Sequence, residues 1–365
     1  MSELSLIQRI SLEMHRSMYL KAAKEHPLRE VFWECTLKCN LRCRHCGSDC
    51  KAESKTPDMP AADFLKVLDN ISSHTDPHKV MIVITGGEPL MRPDLEACGR
   101  EIYRKGFPWG MVTNGYALTP ERFERLKAAG LRSVTISLDG LMESHDWMRG
   151  KKGSFEKASA AIRMVTQSGL VNDVVTCVNK RNIYQLSTIR SYLIGCGVSD
   201  WRIFTVFPQG RAKNDPDMNL SAADIRNVME FIRETRKQGI INCSFACEGF
   251  LGKYEGVVRD RFFTCNAGIF TASVLADGSI SACPSIRADY HQGNIYKDDF
   301  WSVWQDRYNL YRDRSWMCKD ECADCRYFRY CHGNGMHLRD SEGKLIHCLL
   351  NSTKEAETAK ANLGL

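Results

Sequence analysis

The sequence lacks the features that would place the protein in a membrane, outside the cell or on a nucleic acid. No run of about 18 uninterrupted apolar residues occurs, so no membrane span is expected. Residues 1–9 lack the basic start, the long apolar stretch and the cleavage site of a signal peptide. The net charge is only +6 and is spread along the chain, so no nucleic-acid partner is expected. These absences predict a cytoplasmic protein.

Cysteine, by contrast, is abundant. The chain has 17 cysteines, of which five lie between Cys35 and Cys50 and five between Cys318 and Cys348. Because the predicted compartment is reducing, thiols stay free there, and clustered cysteines are interpreted as metal ligands rather than disulfides. The hydrophobic content of 43% is enough for an ordinary folded core around such sites.

The first two thirds of the chain alternate between short apolar runs and amphipathic stretches. Six strands are predicted over residues 31–35, 80–85, 109–113, 133–138, 171–178 and 201–206. Helices are predicted between and after them, over residues 61–73, 93–105, 120–129, 154–168, 184–194 and 222–238. This alternation indicates an α/β fold of parallel βα units, which we interpret as a partial (β/α)6 barrel similar to a TIM barrel. In such barrels the functional residues lie on the loops that follow the strands.

The pattern changes near residue 240. Beyond it the predicted strands shorten, turns become frequent and cysteines reappear. We therefore predict four segments: an N-terminal helical extension over residues 1–30, the barrel over 31–240, a small Cys-rich domain over 241–350 and a tail over 351–365. A chain of this length is expected to form more than one domain.

The first cysteine group has the spacing Cys39-x3-Cys43-x2-Cys46 and directly follows the first predicted strand. A 4Fe–4S cluster has four irons, and each iron needs a ligand. Three thiolates on one loop cap three irons and leave the fourth open for a substrate, whereas a structural zinc site needs a closed set of four ligands. Cys35 and Cys50 do not fit the spacing and are interpreted as non-ligands. On this spacing alone, a zinc loop stays the alternative.

Polar residues follow the next three predicted strands. Two adjacent glycines allow a close backbone approach, a carboxylate accepts from an ammonium group, a hydroxyl suits a ribose, and a guanidinium suits a carboxylate. The residues are Gly86, Gly87, Glu88 and Pro89 after the second strand, Asn114 after the third, Ser137 at the end of the fourth, and Arg149 on the loop beyond.

This ordered set resembles the radical S-adenosylmethionine (SAM) superfamily over about residues 31–210. The resemblance implies a 4Fe–4S cluster on Cys39, Cys43 and Cys46, whose open iron chelates the amino and carboxylate groups of SAM. It also implies the SAM contacts: Gly86, Gly87 and Glu88, within the Gly-Gly-Glu-Pro turn that ends at Pro89, for the amino group; Ser137 for the ribose; Arg149 for the carboxylate; and Asn114 in the pocket. An external one-electron donor of the flavodoxin or ferredoxin type would reduce the cluster of this oxygen-sensitive enzyme. SAM would then yield a 5′-deoxyadenosyl radical that abstracts hydrogen from the substrate.

The C-terminal cysteines resemble the SPASM extension of the same superfamily, which carries auxiliary iron–sulfur clusters. The match runs over about residues 265–348, and Cys265-x12-Gly278-x4-Cys283 fits its opening motif. The resemblance implies an outer auxiliary cluster on four thiolates, which are Cys322, Cys325, Cys331 and Cys348. Without the barrel, a single zinc site on the same four cysteines would be the alternative.

The inner auxiliary cluster departs from the family pattern. The family usually has a further cysteine four residues after the equivalent of Cys331, and this chain has Gly335 there. We favour an inner set of Cys265, Cys283 and Cys318. The alternatives are Cys247 or His332 as a ligand, or an inner cluster that is incomplete, smaller or open to substrate. One or two auxiliary clusters are therefore expected.

The resemblance favours an enzyme that modifies or cross-links a peptide or protein side chain. The second hypothesis is oxidation or decarboxylation of a tetrapyrrole side chain in a haem precursor. A non-catalytic iron–sulfur or zinc-binding protein is disfavoured, because an electron carrier needs no SAM site. Sulfatase maturation is also disfavoured, because Pro284 follows Cys283 where those relatives have an aspartate base. Only about 30 residues precede the first strand, too few for the leader-binding module of many relatives, so leader recognition would need another protein or another surface.

Overall fold

A single, mostly parallel ten-stranded sheet organises the chain in a computed structural model that describes residues 4–206 and 208–353. The strand order is β10-β9-β8-β1-β2-β3-β4-β5-β6-β7, and the sheet does not close on itself. The strands are β1 Glu30–Glu34, β2 Met81–Thr85, β3 Trp109–Thr113, β4 Leu131–Ser137, β5 Val171–Val178, β6 Asp200–Thr205, β7 Asn242–Phe245, β8 Thr271–Val274, β9 Ser279–Ser281 and β10 Gly293–Asn294. This architecture confirms the predicted α/β fold and its open, partial barrel.

Helices connect the parallel strands and cover one face of the sheet. In the first part of the chain they are α1 Leu6–Glu25, α2 Ala61–Ser72, α3 Leu95–Arg104, α4 Pro120–Ala128, α5 Met142–Arg149, α6 Ser154–Thr166, α7 Leu186–Gly195 and α8 Ala222–Gln238. Short helices follow in the C-terminal part, namely α9 Phe300–Asp306, α10 Asn309–Arg312 and α11 Phe328–Cys331. Throughout the described residues, each helix is too short or too polar to cross a lipid bilayer.

The strand β1 illustrates how the side-chain pattern fixes the two faces of the sheet. Val31 and Trp33 are fully buried, and the Trp33 ring stacks on Phe64 of α2 with ring centroids 4.3 Å apart. Glu30 and Phe32, on the other face, line an internal cavity. Because side chains alternate along a strand, the same five residues build the core on one side and the barrel interior on the other.

The sheet continues past residue 240. The strand β7 pairs in parallel with β6, and β8 pairs in parallel with β1 through Glu30↔Thr271 and Trp33↔Val274. The strands β9 and β10 then extend the sheet in the antiparallel sense. The C-terminal part of the chain is therefore joined by backbone hydrogen bonds to the strand that precedes the first cysteine group.

The helix α1 packs against the C-terminal part of the chain. It begins after Ser5, whose side chain and that of Gln8 form a capping box. Further along, the Tyr19 ring stacks on His332 with centroids 4.2 Å apart, and the Tyr330 hydroxyl lies 2.6 Å from a Glu13 carboxylate oxygen. Residues 1–3 of the predicted N-terminal extension and most of the predicted tail, residues 354–365, lie outside the described residues.

One element differs from the sequence prediction in a way that affects the site. The stretch before Arg149 was expected to be a loop, but it forms α5, which ends at Arg149 and is followed by Gly150 in the left-handed conformation at φ 67°. The segment is short and polar, so it has little of the apolar periodicity on which the helix prediction depends. Arg149 is therefore the last residue of a helix, which fixes the position of its backbone and the starting point of its side chain.

Candidate functional site

The first cysteine group lies on a loop at the carboxyl end of β1, which we call the cysteine loop (residues 36–51). Cys39, Cys43 and Cys50 form one buried cluster, and Cys46 is half-buried against it. The charges of Cys43 and Cys46 both act on the Cys39 thiol, so the predicted trio is brought together. Burial raises the pKa of Cys39 to about 11, and a metal centre that binds here must displace the thiol protons.

Cys50, the spare cysteine of this loop, is buried with the trio, and its Sγ lies 4.0 Å from the Ser48 carbonyl oxygen. Burial therefore does not separate Cys50 from the trio, and its assignment as a non-ligand stays a prediction from the spacing.

The Gly-Gly-Glu-Pro turn after β2 packs directly on the cysteine loop. The Gly87 backbone N–H donates to the Thr36 carbonyl oxygen at 2.7 Å, and the Glu88 N–H donates to the Lys38 carbonyl oxygen at 2.9 Å. A Cβ atom on Gly86 would overlap the Thr36 carbonyl oxygen, and one on Gly87 would overlap that of Lys38. The two glycines thus allow the backbone of this turn to pack against the backbone of the cysteine loop. The sequence predicted only that they allow the backbone to approach a ligand.

Replacing Gly87 with alanine is expected to push the turn away from the cysteine loop. Overpacking of this kind typically destabilises a protein by about 1–3 kcal/mol, and we expect SAM binding to weaken by about tenfold or more. The measurement is the SAM dissociation constant by equilibrium dialysis under anaerobic conditions, together with iron content. The matched control is Gly195→Ala, since a Cβ on Gly195 has nothing within 4 Å. Equal affinities for the two variants would contradict the packing argument.

Glu88 joins the ends of β2 and β3 from a buried position. One carboxylate oxygen accepts from the Thr113 hydroxyl at 2.7 Å and from the Leu90 N–H at 3.2 Å, and the other accepts from the Asn114 N–H at 2.8 Å. Burial raises the pKa of Glu88, although these hydrogen bonds oppose the rise. A carboxylate has about four acceptor positions, so one stays available for an ammonium group. Pro89 begins the single 3-10 turn Pro89–Met91 that follows.

Two nitrogen groups point at the sulfur atoms of the cysteine loop. The Arg149 Nη1 lies 3.7 Å from the Cys43 Sγ, and the Asn114 Nδ2 lies 4.0 Å from the Cys39 Sγ. The Arg149 Nη2 also forms a buried ion pair with Asp139, at 2.7 Å from Oδ2. Hydrogen bonds to charged sulfur ligands are part of the environment that tunes a cluster. Ser137 is half-buried at the end of β4, on the same side of the barrel.

Two further buried groups near the cysteine loop lack partners among the described residues. The Arg149 Nε and the His45 Nδ1 are buried without a hydrogen bond. Burial lowers the pKa of His45 to about 4, so its imidazole is neutral. Buried donors and acceptors of this kind are normally satisfied. The arrangement therefore fits a polar, negatively charged group at this position, as a cluster with a bound carboxylate would be.

The outer cysteine set is also brought together. The charges of Cys348, Cys322 and Cys325 all act on the Cys331 thiol. The Arg339 Nη2 lies 3.4 Å from the Cys322 Sγ, and the same guanidinium donates to the Gly333 carbonyl oxygen at 3.0 Å. A buried cation held by backbone carbonyls thus faces this set, as it would to offset the charge of thiolates.

The inner cysteines surround a cavity of about 410 Å³ between the barrel and the C-terminal region. Cys265 and Cys283 line it together with Cys247, which follows β7. Cys318 does not line this cavity: its Sγ lies 3.8 Å from the Cys322 carbonyl oxygen, on the loop of the outer set.

The geometry of these groups is not that of a single bound ion. In the part of the chain that the structure describes, no set of three or more His, Cys, Asp or Glu side chains is arranged to bind one metal ion. In a 4Fe–4S cluster each thiolate binds a different iron, so its ligands do not converge on one point.

Two family models match the chain. The model of the radical SAM superfamily matches residues 33–183, and that of the SPASM iron–sulfur cluster-binding domain matches residues 265–326. The chain belongs to the radical SAM superfamily and carries a SPASM domain. It is therefore an enzyme that uses a 4Fe–4S cluster and SAM, and the SPASM domain adds auxiliary iron–sulfur clusters.

Curated relatives of this radical SAM enzyme fall into two groups by name. An AdoMet-dependent heme synthase from Nitratidesulfovibrio vulgaris is 28% identical over 321 residues, which cover 83% of this chain and 86% of the relative. The mycofactocin maturase MftC from Mycolicibacterium smegmatis is 28% identical over 310 residues, which cover 83% of this chain and 77% of the relative. Sequence similarity alone thus does not choose between a tetrapyrrole substrate and a peptide substrate.

Solved structures share the fold. SuiB from Streptococcus suis bound to S-adenosylmethionine superposes with a TM-score of 0.69 at 17% identity, covering 96% of this chain and 84% of SuiB. The anSMEcpe structure with bound AdoMet and the Cp18Cys peptide gives 0.70 at 19% identity, covering 92% of this chain and 98% of that one. Both support the open, partial-barrel fold of the chain.

Sequence reasoning missed two parts of the radical SAM site. The position of Asp139 just after the fourth predicted strand fits either support of the ribose or a simple strand end, yet the residue is fully buried and pairs with Arg149. Thr113 was not considered, yet its hydroxyl orients Glu88. The only available signal was position, because both residues stand at or just after a strand end, where this fold places its functional side chains.

Proposed function

We propose that this radical SAM enzyme abstracts a hydrogen atom from a peptide or protein side chain and thereby modifies or cross-links it. Cys39, Cys43 and Cys46 would hold the 4Fe–4S cluster at the carboxyl ends of the strands. With SAM bound, this cluster supplies a 5′-deoxyadenosyl radical. The surrounding residues then have to orient SAM, hold the substrate and exclude water.

The residues near the cysteine loop divide this work. Glu88, fixed by Thr113 and Asn114, would accept from the SAM amino group with its remaining lone pair. Arg149, with its buried and unpaired Nε, would face the SAM carboxylate while its Nη1 points at Cys43. The hydroxyl of Ser137 would accept or donate at the ribose.

The choice of substrate rests on the volume of the cavity at the inner cysteines and on the arginines that line it. Its volume of about 410 Å³ would have to hold the inner cluster as well. Three arginines line it: Arg202 pairs with Asp173, Arg259 lies 3.9 Å from Glu255, and Arg261 alone has no carboxylate partner among the described residues. Haem precursors carry several propionates, which would need cations without such partners. A single side chain of an extended peptide needs less room and less charge.

The names of two relatives support the same proposal. One is the mycofactocin maturase, and the other is AlbA, an antilisterial bacteriocin subtilosin biosynthesis protein that is 25% identical over 313 residues. The second candidate function is side-chain decarboxylation of a tetrapyrrole. It is favoured by the AdoMet-dependent heme synthases and by an Fe-coproporphyrin III synthase that is 26% identical over 330 residues.

A substrate comparison separates the two candidates. The reconstituted enzyme is reduced under anaerobic conditions with dithionite or a flavodoxin-type donor. The 5′-deoxyadenosine formed is then measured in the presence of one of two substrates, either peptides encoded beside the gene or Fe-coproporphyrin III. We expect a peptide to stimulate 5′-deoxyadenosine formation and to change in mass. Stimulation by the porphyrin with release of carbon dioxide, and none by peptides, would replace the proposal with the second candidate. The Cys43→Ala variant provides the blank.

A further inference from the structure

The inner auxiliary site needs ligands that the SPASM pattern does not provide here. Cys265 and Cys283 match the opening motif, but Gly335 stands where the family usually has the next inner cysteine. Two thiolates cannot hold a 4Fe–4S cluster, which normally takes four protein ligands in an auxiliary site. Other residues around the cavity therefore have to complete the set.

Cys247 is one such group. It lines the same cavity as Cys265 and Cys283. The residues on either side of it are fixed: the Ala246 N–H donates to the Ile203 carbonyl oxygen at 2.9 Å, and Glu248 accepts from the Thr205 N–H at 2.8 Å. The Cys247 thiol is thus exposed to the cavity from a rigid backbone at the end of β7.

His337 is the second group that can complete the ligand set of the inner cluster. A Cβ atom built on Gly335 would lie 2.7 Å from the His337 Cε1 and 3.0 Å from its Nδ1. The imidazole therefore occupies the space into which a cysteine at position 335 would project its side chain. The ring is buried and lines the cavity of the three inner cysteines.

The position of His337 is tied to the inner cysteines by its neighbours. Met336, the residue before His337, lines the same cavity as Cys265. The same Cβ built on Gly335 would lie 3.4 Å from the Glu248 carbonyl oxygen, next to Cys247. Segments 246–248, 265 and 335–337 thus meet at one place.

The other candidates of the sequence analysis lie elsewhere. His332 stacks on Tyr19 of α1, and Cys318 contacts the loop of the outer set. Neither residue lines the cavity.

We propose that Cys247, Cys265, Cys283 and His337 are the protein ligands of the inner auxiliary iron–sulfur cluster. Histidine replaces cysteine as an iron ligand in Rieske centres, where it raises the reduction potential, because a neutral imidazole leaves the cluster less negative than a thiolate does. The inner cluster of this enzyme is then a better electron acceptor than an all-cysteine cluster in the same place. This assignment rests on the SPASM domain and is independent of the substrate proposed above.

Iron content tests the cysteine part of the assignment. In a full-length background with Cys39, Cys43 and Cys46 all changed to alanine, iron per chain reports the auxiliary clusters alone. We expect about eight irons in this background and about four after the further change Cys247→Ala, because a 4Fe–4S cluster contains four. Cys318→Ala is the matched control and is expected to keep about eight. A Cys247→Ala variant that keeps all the iron, or a background with only about four, would overturn the inner set.

Nitrogen coupling tests the histidine part. In the same background, protein made with 15N-labelled histidine is reduced and measured by pulsed electron paramagnetic resonance. We expect the background protein to show a histidine nitrogen coupled to one reduced cluster. In His337→Cys this coupling should be lost, the iron should be retained, and one midpoint potential should shift to a lower value. His332→Ala should keep the coupling. Absence of any coupled nitrogen in the background protein, or coupling that survives in His337→Cys, would refute His337 as a ligand even if Cys247 is upheld.

Discussion

The Cys43→Ala variant is expected to form no measurable 5′-deoxyadenosine, while its auxiliary clusters remain. Each thiolate of the trio caps one iron, and two thiolates leave two irons without protein ligands. Cys43 is also the trio member that the Arg149 guanidinium contacts, at 3.7 Å from Nη1 to Sγ, so its loss removes the sulfur at the centre of the buried site. The measurement is 5′-deoxyadenosine by liquid chromatography after anaerobic reconstitution and reduction. Iron should fall by about four per chain.

The matched control for this variant is Cys50→Ala. Cys50 belongs to the same buried group as Cys39 and Cys43. Because it is not part of the x3-then-x2 spacing, its removal should preserve the cluster and most of the 5′-deoxyadenosine formed. Loss of the cluster in Cys50→Ala with retention in Cys43→Ala would show that the wrong three cysteines have been assigned.

The Arg149→Met variant is expected to destabilise the protein by about 3–5 kcal/mol, because removing one partner of a buried ion pair leaves the other charge uncompensated. Asp139 is fully buried, and its Oδ2 lies 2.7 Å from the Arg149 Nη2. The measurement is urea unfolding of the reconstituted enzyme without oxygen, followed by circular dichroism. In the double variant with Asp139→Asn much of the loss should be recovered, since no buried charge is then left unpaired.

The pair should also be sensitive to acid. Burial alone would raise the pKa of Asp139, but the Arg149 charge, together with smaller contributions from two nearby histidines and the Cys177 N–H, brings the pKa below its usual value. A lowered carboxyl pKa contributes stability above the unfolded pKa, and this contribution is lost as the pH falls through the folded pKa. The control for the stability cost of Arg149→Met is Arg125→Met, whose guanidinium is 61% exposed beside Glu96. Exposed pairs are worth about 0–1 kcal/mol. An Arg149→Met cost no larger than this would contradict the buried pair.

Much of the barrel could be predicted because its signals are local. The helix Ala222–Gln238 was predicted with its observed ends, since Ser221 and Asp224 form a capping box and Gly239 ends the helix at φ 66°. The strands Trp109–Thr113 and Val171–Val178 were likewise predicted with their observed bounds. Each of these elements is defined by residues within a few positions of one another.

The contacts that depend on distant residues could not be predicted. The pairing of β8 with β1 joins segments about 240 residues apart, and no local periodicity records it. The ion pair between Arg149 and Asp139 joins residues that are close in sequence, but it was missed for another reason, because Arg149 lies on a helix that the sequence prediction treated as a loop. The spacing of Cys318 favoured it as an inner ligand over Cys247, which has no motif partner nearby, and only the position of β7 places Cys247 at the cavity of the inner cysteines.

The pairing of β1 with β8 has a consequence for how the enzyme matures on the ribosome. The nascent chain delivers the cysteine loop early, but the strand that completes the support of β1 emerges only when residue 274 has been translated. Until then β1 presents an open edge beside unprotected thiols, which is a hazard for mispairing and oxidation. Support for the cysteine loop is therefore complete only once β8 has been added to the sheet, and we expect cluster insertion to be favoured after that pairing has formed.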